Sequence, residues 1–139
     1  MRVYFDASVI IASLLSPTGG SSRLFKYVKD NKLIGITSQT ALDEVFEKTE
    51  KIKKSKIEIE TFIAKSGLLV RKHIALKEIE PYKDLIDVED AHLIAGAALT
   101  KSTHLVSLDK KHLLREDIKK IFLPLNIVSP KELLEQIIV

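Results

Sequence analysis

The sequence predicts an α/β fold, with one domain over residues 1–139, a central parallel sheet of about five strands and helices on both faces. Two observations lead to this prediction. Short apolar segments, typical of buried parallel strands, alternate with segments whose apolar residues recur at helical spacing. This alternation favours parallel strands joined by right-handed helical crossovers. The length of 139 residues suits one domain with its own hydrophobic core.

Glycine, proline and hydroxyl residues divide the N-terminal half of the chain into its elements. Pro17 and the paired glycines after it separate two helices, and Asn31 ends the second of them. Thr37 or Ser38 is placed to cap the following helix. The elements predicted here are a strand at residues 3–5, helices at 9–15 and from 21 or 22 to 29, a strand at 33–36, and a helix after residue 38.

The C-terminal half is less evenly patterned. Residues 50–56 are rich in lysine and are interpreted as a charged linker. Residues 71–86 are interpreted as mostly irregular, since Pro81 ends any helix there. Asp87 is the expected N-cap of the most strongly predicted helix. The remaining predicted elements are a helix at 56–65, a strand at 68–70, a helix at 87–99, a strand at 103–108, a short helical turn at 111–114, a strand at 126–128 and a final helix opened by Pro130.

Composition narrows the classes of function. Hydrophobic residues make up 45% of the chain and charged residues 29%, as in ordinary globular proteins. The chain has no cysteine, which excludes disulfides, thiolate metal sites and cysteine nucleophiles and fits a cytoplasmic location. No apolar run is long enough to cross a bilayer, so no membrane partner is expected. The net charge of +3 permits contact with nucleic acid without requiring it.

Two aspartates follow apolar strands directly. Asp6 comes after the first predicted strand, and Asp109 comes after the strand at 103–108. Because parallel strands end at one edge of the sheet, both carboxylates are expected at that edge, where chemistry collects in α/β folds. A simpler alternative applies to the first of them: Asp6 or Ser8 would cap the helix that follows.

Two further acids are candidates by helix position. Asp90 lies in the first turn of the helix at 87–99, in register with its apolar face, and Glu44 lies at the margin of the buried face of an earlier helix. The alternatives are a favourable helix-dipole contact for Asp90 and a surface pair with Lys48 for Glu44. Glu89 is expected to face solvent.

Together these four acids favour a divalent metal site. Carboxylates crowded into a cleft repel one another unless a cation neutralises them. Without thiolates, a set of this kind suits Mg²⁺ or Mn²⁺. Ser8 and Ser107 are placed to hydrogen-bond the carboxylates or to cap locally. A bound ion of this type activates water for attack on a phosphodiester.

The motifs resemble those of the PIN domain family, nucleases found in many VapC-type toxins. They are Val-Tyr-Phe-Asp-Ala-Ser at 3–8, Ala-Leu-Asp-Glu-Val at 41–45, the segment from Glu89 to Ala97, and the segment from Leu105 to Leu114. The resemblance covers essentially the whole chain in order and spacing. Many members carry Asn or Thr where Ser8 stands and Thr where Ser107 stands.

The resemblance implies a function, a cofactor and partners. The chain is expected to be a Mg²⁺- or Mn²⁺-dependent endoribonuclease that hydrolyses RNA through metal-activated water. The resemblance implies the toxin of a toxin–antitoxin pair, with an antitoxin protein as the expected partner. A hydrophobic surface on the first two helices would suit a partner helix or a second copy of the chain, and a homodimer is expected. It gives the catalytic and metal-binding roles to Asp6, Glu44, Asp90 and Asp109, and supporting roles to Ser8 and Ser107.

Alternatives from other classes stay open. One is a PIN-fold binding module with little nuclease activity that acts through a protein or RNA partner. A receiver domain would need an acidic pair after the first strand, and a haloacid-dehalogenase phosphatase would need Asp-x-Asp; the segment Asp6-Ala7-Ser8 supplies neither. His92 is expected to pack or face solvent, on a different helix face from Asp90. His112 is expected to pack its ring near the end of the strand.

Overall fold

Five parallel strands form one sheet at the centre of the protein. The computed structural model describes residues 1–138. The strands are β1 (Arg2–Phe5), β2 (Ile34–Ser38), β3 (Leu69–Arg71), β4 (His104–Val106) and β5 (Asn126–Val128), in the order β3-β2-β1-β4-β5. All four neighbouring pairs are parallel. The predicted α/β fold with a five-stranded parallel sheet is therefore confirmed.

Helices cover both faces of the sheet. They are α1 (Ala7–Leu15), α2 (Gly20–Lys29), α3 (Gln39–Phe46), α4 (Thr49–Ile52), α5 (Lys56–Ser66), α6 (Leu76–Ile79), α7 (Val88–Leu99), α8 (Glu116–Ile121) and α9 (Pro130–Ile138). A 3₁₀ turn at Glu80–Tyr82 follows α6. None of the helices in residues 1–138 is long and apolar enough to span a membrane.

Alternate residues of β1 fill two separate cores. Val3 and Phe5 point to one face, where they pack with apolar residues of α1, α2, α3, α5 and α9. Tyr4 points to the other face, where α7 and the segment around α8 cover the sheet. This alternation follows from the two-residue period of a strand. It buries β1 completely from Val3 to Phe5 and makes it the centre of the fold.

Gly96 allows α7 to lie close to β1. A Cβ atom at this position would lie 2.8 Å from Cε2 of Tyr4 and would overlap the end of its ring. The Tyr4 hydroxyl also donates a hydrogen bond to Ser38 Oγ over 2.7 Å. Burial raises the pKa of Tyr4 to about 12, so the phenol stays neutral in the core. The close contact fixes the position of α7 and of the acid in its first turn.

Three predictions of local structure were wrong. Residues 50–56 are not simply a linker, because α4 forms there and buries Ile52 against the larger core. The segment 71–86 contains α6 and the 3₁₀ turn, stabilised locally by the ion pair of Arg71 with Glu78. The strand at 103–108 is shorter, because its pairing ends at Val106. For α4 a tertiary contact overrides the local sequence pattern, whereas the ion pair of Arg71 with Glu78 lies within its own segment.

Candidate metal centre

The candidate site lies at the edge of the sheet where β1 and β4 end. These strands are neighbours, with Phe5 opposite Val106. The Asp6 amide donates to the Val106 carbonyl over 3.1 Å, which continues the pairing by one step. The residues that follow the two strands, Asp6 and Ser107, therefore meet at one point. This is the arrangement expected from parallel strands with a common carboxyl edge.

Asp6 is the buried centre of this edge, with 6% of its surface exposed. Its Oδ2 accepts hydrogen bonds from Ser107 Oγ at 2.7 Å and Ser8 Oγ at 2.9 Å. Asp6 also stands at the N-cap position of α1, but its side chain makes no capping hydrogen bond. The capping alternative for the Asp6 carboxylate is therefore wrong, and the carboxylate faces the hydroxyl groups of the cleft.

Burial raises the pKa of the Asp6 carboxyl above its usual range, and the Glu44 charge raises it further. The two serine donors act in the opposite direction by stabilising the ionised form. The two serines thus offset part of the cost of burying the Asp6 charge. A cation nearby would offset the remainder.

The two serines also hold the loop after β4. Ser107 Oγ accepts a hydrogen bond from the Asp109 amide at 3.0 Å, and Ser8 Oγ accepts one from the Leu108 amide at 3.1 Å. Each hydroxyl therefore donates to Asp6 and accepts from this loop. These hydrogen bonds fix the position of the Asp109 backbone relative to Asp6, although the two residues lie far apart in sequence.

Asp109 turns its carboxylate into the same cleft. Its Oδ1 accepts from the Lys111 amide at 3.1 Å and the His112 amide at 3.0 Å, which stabilises the turn predicted at 111–114. Its Oδ2 lies 3.2 Å from His112 Nδ1. His112 does not pack its ring as predicted: its side chain is 52% exposed and faces the acids.

Asp90 reaches the site from the first turn of α7. Asp87 caps this helix as predicted, accepting from the Glu89 amide at 3.0 Å, and Glu89 is exposed. The Asp90 side chain is 16% exposed, and its Oδ2 lies 3.9 Å from His112 Nδ1. Burial raises the pKa of Asp90 to about 6, with the charge of Asp109 as the next cause.

Asp90, Asp109 and His112 form the tightest group of potential metal ligands in the described residues. One ligand atom from each lies within 4.8 Å of the others. Two carboxylates and an imidazole suit Mn²⁺ or another divalent ion that accepts oxygen and nitrogen donors. Burial and, after it, the charge of Asp109 raise the pKa of Asp90, so a divalent cation held by this donor set would stabilise the ionised carboxylate.

Glu44 lies outside this group but within range of Asp6, whose pKa its charge raises. Its Oε1 accepts a hydrogen bond from His92 Nε2 at 2.8 Å. Of the two alternatives predicted for His92, packing and exposure to solvent, the structure shows the first. His92 also contacts a candidate site residue, which was not predicted. Sequence reasoning missed this contact because Glu44 and His92 lie on different helices, 48 positions apart. The contact of His112 with Asp109 could have been predicted, because the two residues lie three positions apart in a predicted helical turn.

These features define an α/β protein with an acidic cluster at the carboxyl edge of a parallel sheet. A sequence profile of the PIN domain family matches residues 2–111, so the chain belongs to that family. The PIN domain is a nuclease fold whose members typically use divalent metal ions. The matched region contains Asp6, Glu44, Asp90 and Asp109 and ends just before His112. No curated protein matched the chain.

Proposed function

We propose that this protein is a Mg²⁺- or Mn²⁺-dependent endoribonuclease. The observation that carries the proposal is the convergence of Asp6, Asp90 and Asp109 at one edge of the sheet: Ser107 links Asp6 to Asp109, and Asp90 lies beside Asp109. Nuclease chemistry is general in PIN domains, and RNA is the substrate that the motifs imply. The retention of all four acids counts against the alternative of a binding module without activity.

Asp90 and Asp109 would hold the metal ion, with His112 beside them. Asp6 contributes negative charge from the buried side of the cleft, and its Oδ1 is not engaged by the two serines. Glu44 adds a further carboxylate near Asp6. A divalent ion bound there supplies Lewis-acid activation of water and stabilises charge on the attacked phosphate.

The chain itself orders the carboxylates before any substrate arrives. Ser8 and Ser107 hold Asp6, and the amides of Lys111 and His112 hold Asp109. Preorganised groups of this kind do not have to be rearranged during the reaction. Lys110 and Lys111 lie exposed on the same turn, where positive charge attracts the RNA backbone.

Cleavage of a labelled single-stranded RNA tests the proposal directly. Wild-type protein and Asp6→Asn are compared in Mn²⁺, Mg²⁺ and EDTA. Asp30→Asn is the matched control, because Asp30 is exposed and precedes β2 at the opposite edge of the sheet. Metal-dependent cleavage by wild type and by Asp30→Asn, but not by Asp6→Asn, supports the proposal. Equal feeble cleavage by all three proteins contradicts it and favours the binding-module alternative.

The toxin role is a second part of the proposal. It includes an antitoxin partner encoded by a neighbouring reading frame and rests on the resemblance of the motifs to VapC-type toxins. Induced expression in a bacterial host is expected to arrest growth for wild type and not for Asp6→Asn. Normal growth with intact RNA cleavage in vitro would contradict the toxin role and leave the nuclease assignment standing.

The proposed assembly is a homodimer, in which a hydrophobic surface on the first two helices would face a second copy of the chain. Sedimentation at tens of micromolar tests it without any assumption about activity. A dimer mass supports the assignment, and a monodisperse monomer contradicts it.

A further inference from the structure

His92 makes one side-chain hydrogen bond within the described residues, and the acceptor is Glu44. The Nε2–H group donates to Glu44 Oε1 at 2.8 Å. The other ring nitrogen, Nδ1, is buried and has no hydrogen-bond partner in residues 1–138. The His92 side chain is only 8% exposed, whereas that of Glu44 is 44% exposed. The buried imidazole of His92 therefore holds the partly exposed side chain of Glu44.

Packing alone does not explain a histidine at this position. A buried polar atom without a partner lowers stability, and an apolar side chain of similar size would avoid that cost. The neighbouring residues on α7, from Leu93 to Ala97, are all buried and small or apolar. His104 offers a contrast within the same chain, because both of its ring nitrogens have partners, Thr103 Oγ1 and Gln136 Oε1.

The hydrogen bond determines how Glu44 presents its carboxylate. A free glutamate side chain samples many rotamers, and fixing it costs conformational entropy. With Oε1 held by His92, Oε2 is left without a protein hydrogen bond in the described residues and is available to a cation. The charge of Glu44 is among the causes that raise the pKa of Asp6, so the held carboxylate acts on the same group of acids.

We propose that His92 is a positioning residue that holds Glu44 toward the metal centre through its Nε2–H group. This inference rests on the proposed function in that Glu44 takes part in metal binding. Hydrogen-bond partners of metal-ligating side chains commonly contribute 10- to 100-fold to metal affinity. His92 is not itself a ligand, because its Nε2 is directed at Glu44 and its Nδ1 is enclosed.

The first test compares His92→Leu with His104→Leu, using Mn²⁺ binding followed by electron paramagnetic resonance and urea unfolding of the metal-free proteins. For His92→Leu we expect Mn²⁺ affinity to fall about tenfold or more, with no loss of stability because the unpaired nitrogen is removed. For His104→Leu, at the start of β4, we expect the reverse: lower stability and unchanged affinity. Unchanged Mn²⁺ affinity in His92→Leu overturns the inference, whatever its stability.

A second pair of variants separates the two ring nitrogens and remains informative if His92→Leu does not fold. The amide nitrogen of a glutamine reaches the position of Nε2, whereas that of asparagine reaches only the position of Nδ1. His92→Gln is therefore expected to keep Mn²⁺ affinity within about threefold of wild type, and His92→Asn to lose about as much as His92→Leu. Equal affinities for the glutamine and asparagine variants contradict the proposed role of Nε2.

A double-mutant cycle with Glu44→Ala establishes whether His92 acts through Glu44. If it does, His92→Leu causes no further loss of affinity in the Glu44→Ala background, measured with Mn²⁺ up to millimolar concentrations. A loss that persists in that background overturns the inference. These outcomes are distinct from failure of the proposed function, which would appear as wild-type protein that neither binds Mn²⁺ nor cleaves RNA.

Discussion

Ser107 Oγ lies 2.7 Å from Asp6 Oδ2 and joins the ends of β1 and β4, which are 101 positions apart in sequence. The same hydroxyl accepts a hydrogen bond from the Asp109 amide at 3.0 Å. Ser107 is fully buried, so neither bond competes with bulk water. One hydroxyl group therefore positions Asp6 and Asp109, two of the acids in the candidate site, relative to each other.

Removal of that hydroxyl is expected to affect both stability and metal binding. Ser107→Ala takes a donor from a buried carboxylate and an acceptor from a backbone amide, which costs about 2 kcal/mol of unfolding free energy. Mn²⁺ affinity is expected to fall about tenfold, and Ser107→Thr to retain it because the hydroxyl remains.

Urea unfolding and Mn²⁺ titration measure these two effects, with Ser66→Ala as the control. Ser66 is equally buried, and its hydroxyl bonds the Ile63 carbonyl and the Leu68 amide away from the acids. The Ser66→Ala variant should therefore be less stable than wild type but bind Mn²⁺ with unchanged affinity. Equal Mn²⁺ affinities for Ser107→Ala and wild type would refute the bridging role.

The raised pKa of Asp90 makes the stability of the metal-free protein depend on pH. The pKa of about 6 exceeds the ordinary aspartate value of 3.8, so the folded state binds the proton more tightly than the unfolded state. Stability is therefore expected to fall as pH rises from about 4 to about 6, with the loss complete above that range. Discounted for residual solvent access, the effect is about 1 kcal/mol.

Asp90→Asn isolates this effect from the other titrating groups. In urea unfolding at pH 4.5 and pH 7.5, the stability of the variant relative to metal-free wild type should be greater at the higher pH. The measurement requires EDTA, since a bound cation would lower the pKa of Asp90 by stabilising its ionised form. A difference between the two proteins that does not change with pH would argue against a raised pKa at Asp90.

Metal binding is expected to stabilise the folded protein. A ligand at 100 times its dissociation constant contributes about 2.7 kcal/mol, which raises the Tm of a domain of this size by roughly 8 °C. Differential scanning fluorimetry at pH 7.5 with Mn²⁺, then with EDTA, measures the shift and its reversal. Asp109→Asn should abolish the shift and Asp30→Asn should keep it. An equal shift in both variants would place the stabilising ion elsewhere.

His112 is expected to influence which metal the site prefers. Imidazole binds Mn²⁺ more readily than Mg²⁺, which favours oxygen ligands. His112→Ala should therefore reduce Mn²⁺ affinity about tenfold and change Mg²⁺ affinity by no more than about threefold. Competition titrations of the two ions give the ratio directly. A parallel loss for both ions would indicate that His112 acts on the acids and not as a ligand.

Gly96→Ala is expected to destabilise the fold, although alanine forms helices better than glycine does. The gain in helix propensity is about 1 kcal/mol, whereas forcing a methyl group against Tyr4 costs about 2–3 kcal/mol. Gly20→Ala is the matched control, because a Cβ there would lie 3.7 Å from its nearest neighbour, an ordinary contact. Urea midpoints distinguish the two variants, and a stabilising Gly96→Ala would contradict the packing described for α7.

The architecture and the acids at the edge of the sheet could be predicted from the sequence alone. The segments that precede Asp6 and Asp109 are apolar, and a parallel sheet brings the carboxyl ends of its strands to one edge. The cap at Asp87 and the turn after Asp109 are likewise local, since their hydrogen bonds connect residues two or three positions apart. Local patterns were sufficient for these features.

Contacts between side chains of different elements became known only from the folded structure. The pairing of His92 with Glu44, the turn of His112 toward Asp90, and the burial of Ile52 in α4 all depend on contacts between separate helices or loops. Helical periodicity assigns a residue to a face, but it does not say which side chain the neighbouring element places opposite. The acids could therefore be predicted from the sequence, whereas the contacts of His92 with Glu44 and of His112 with Asp90 could not, because each joins separate elements.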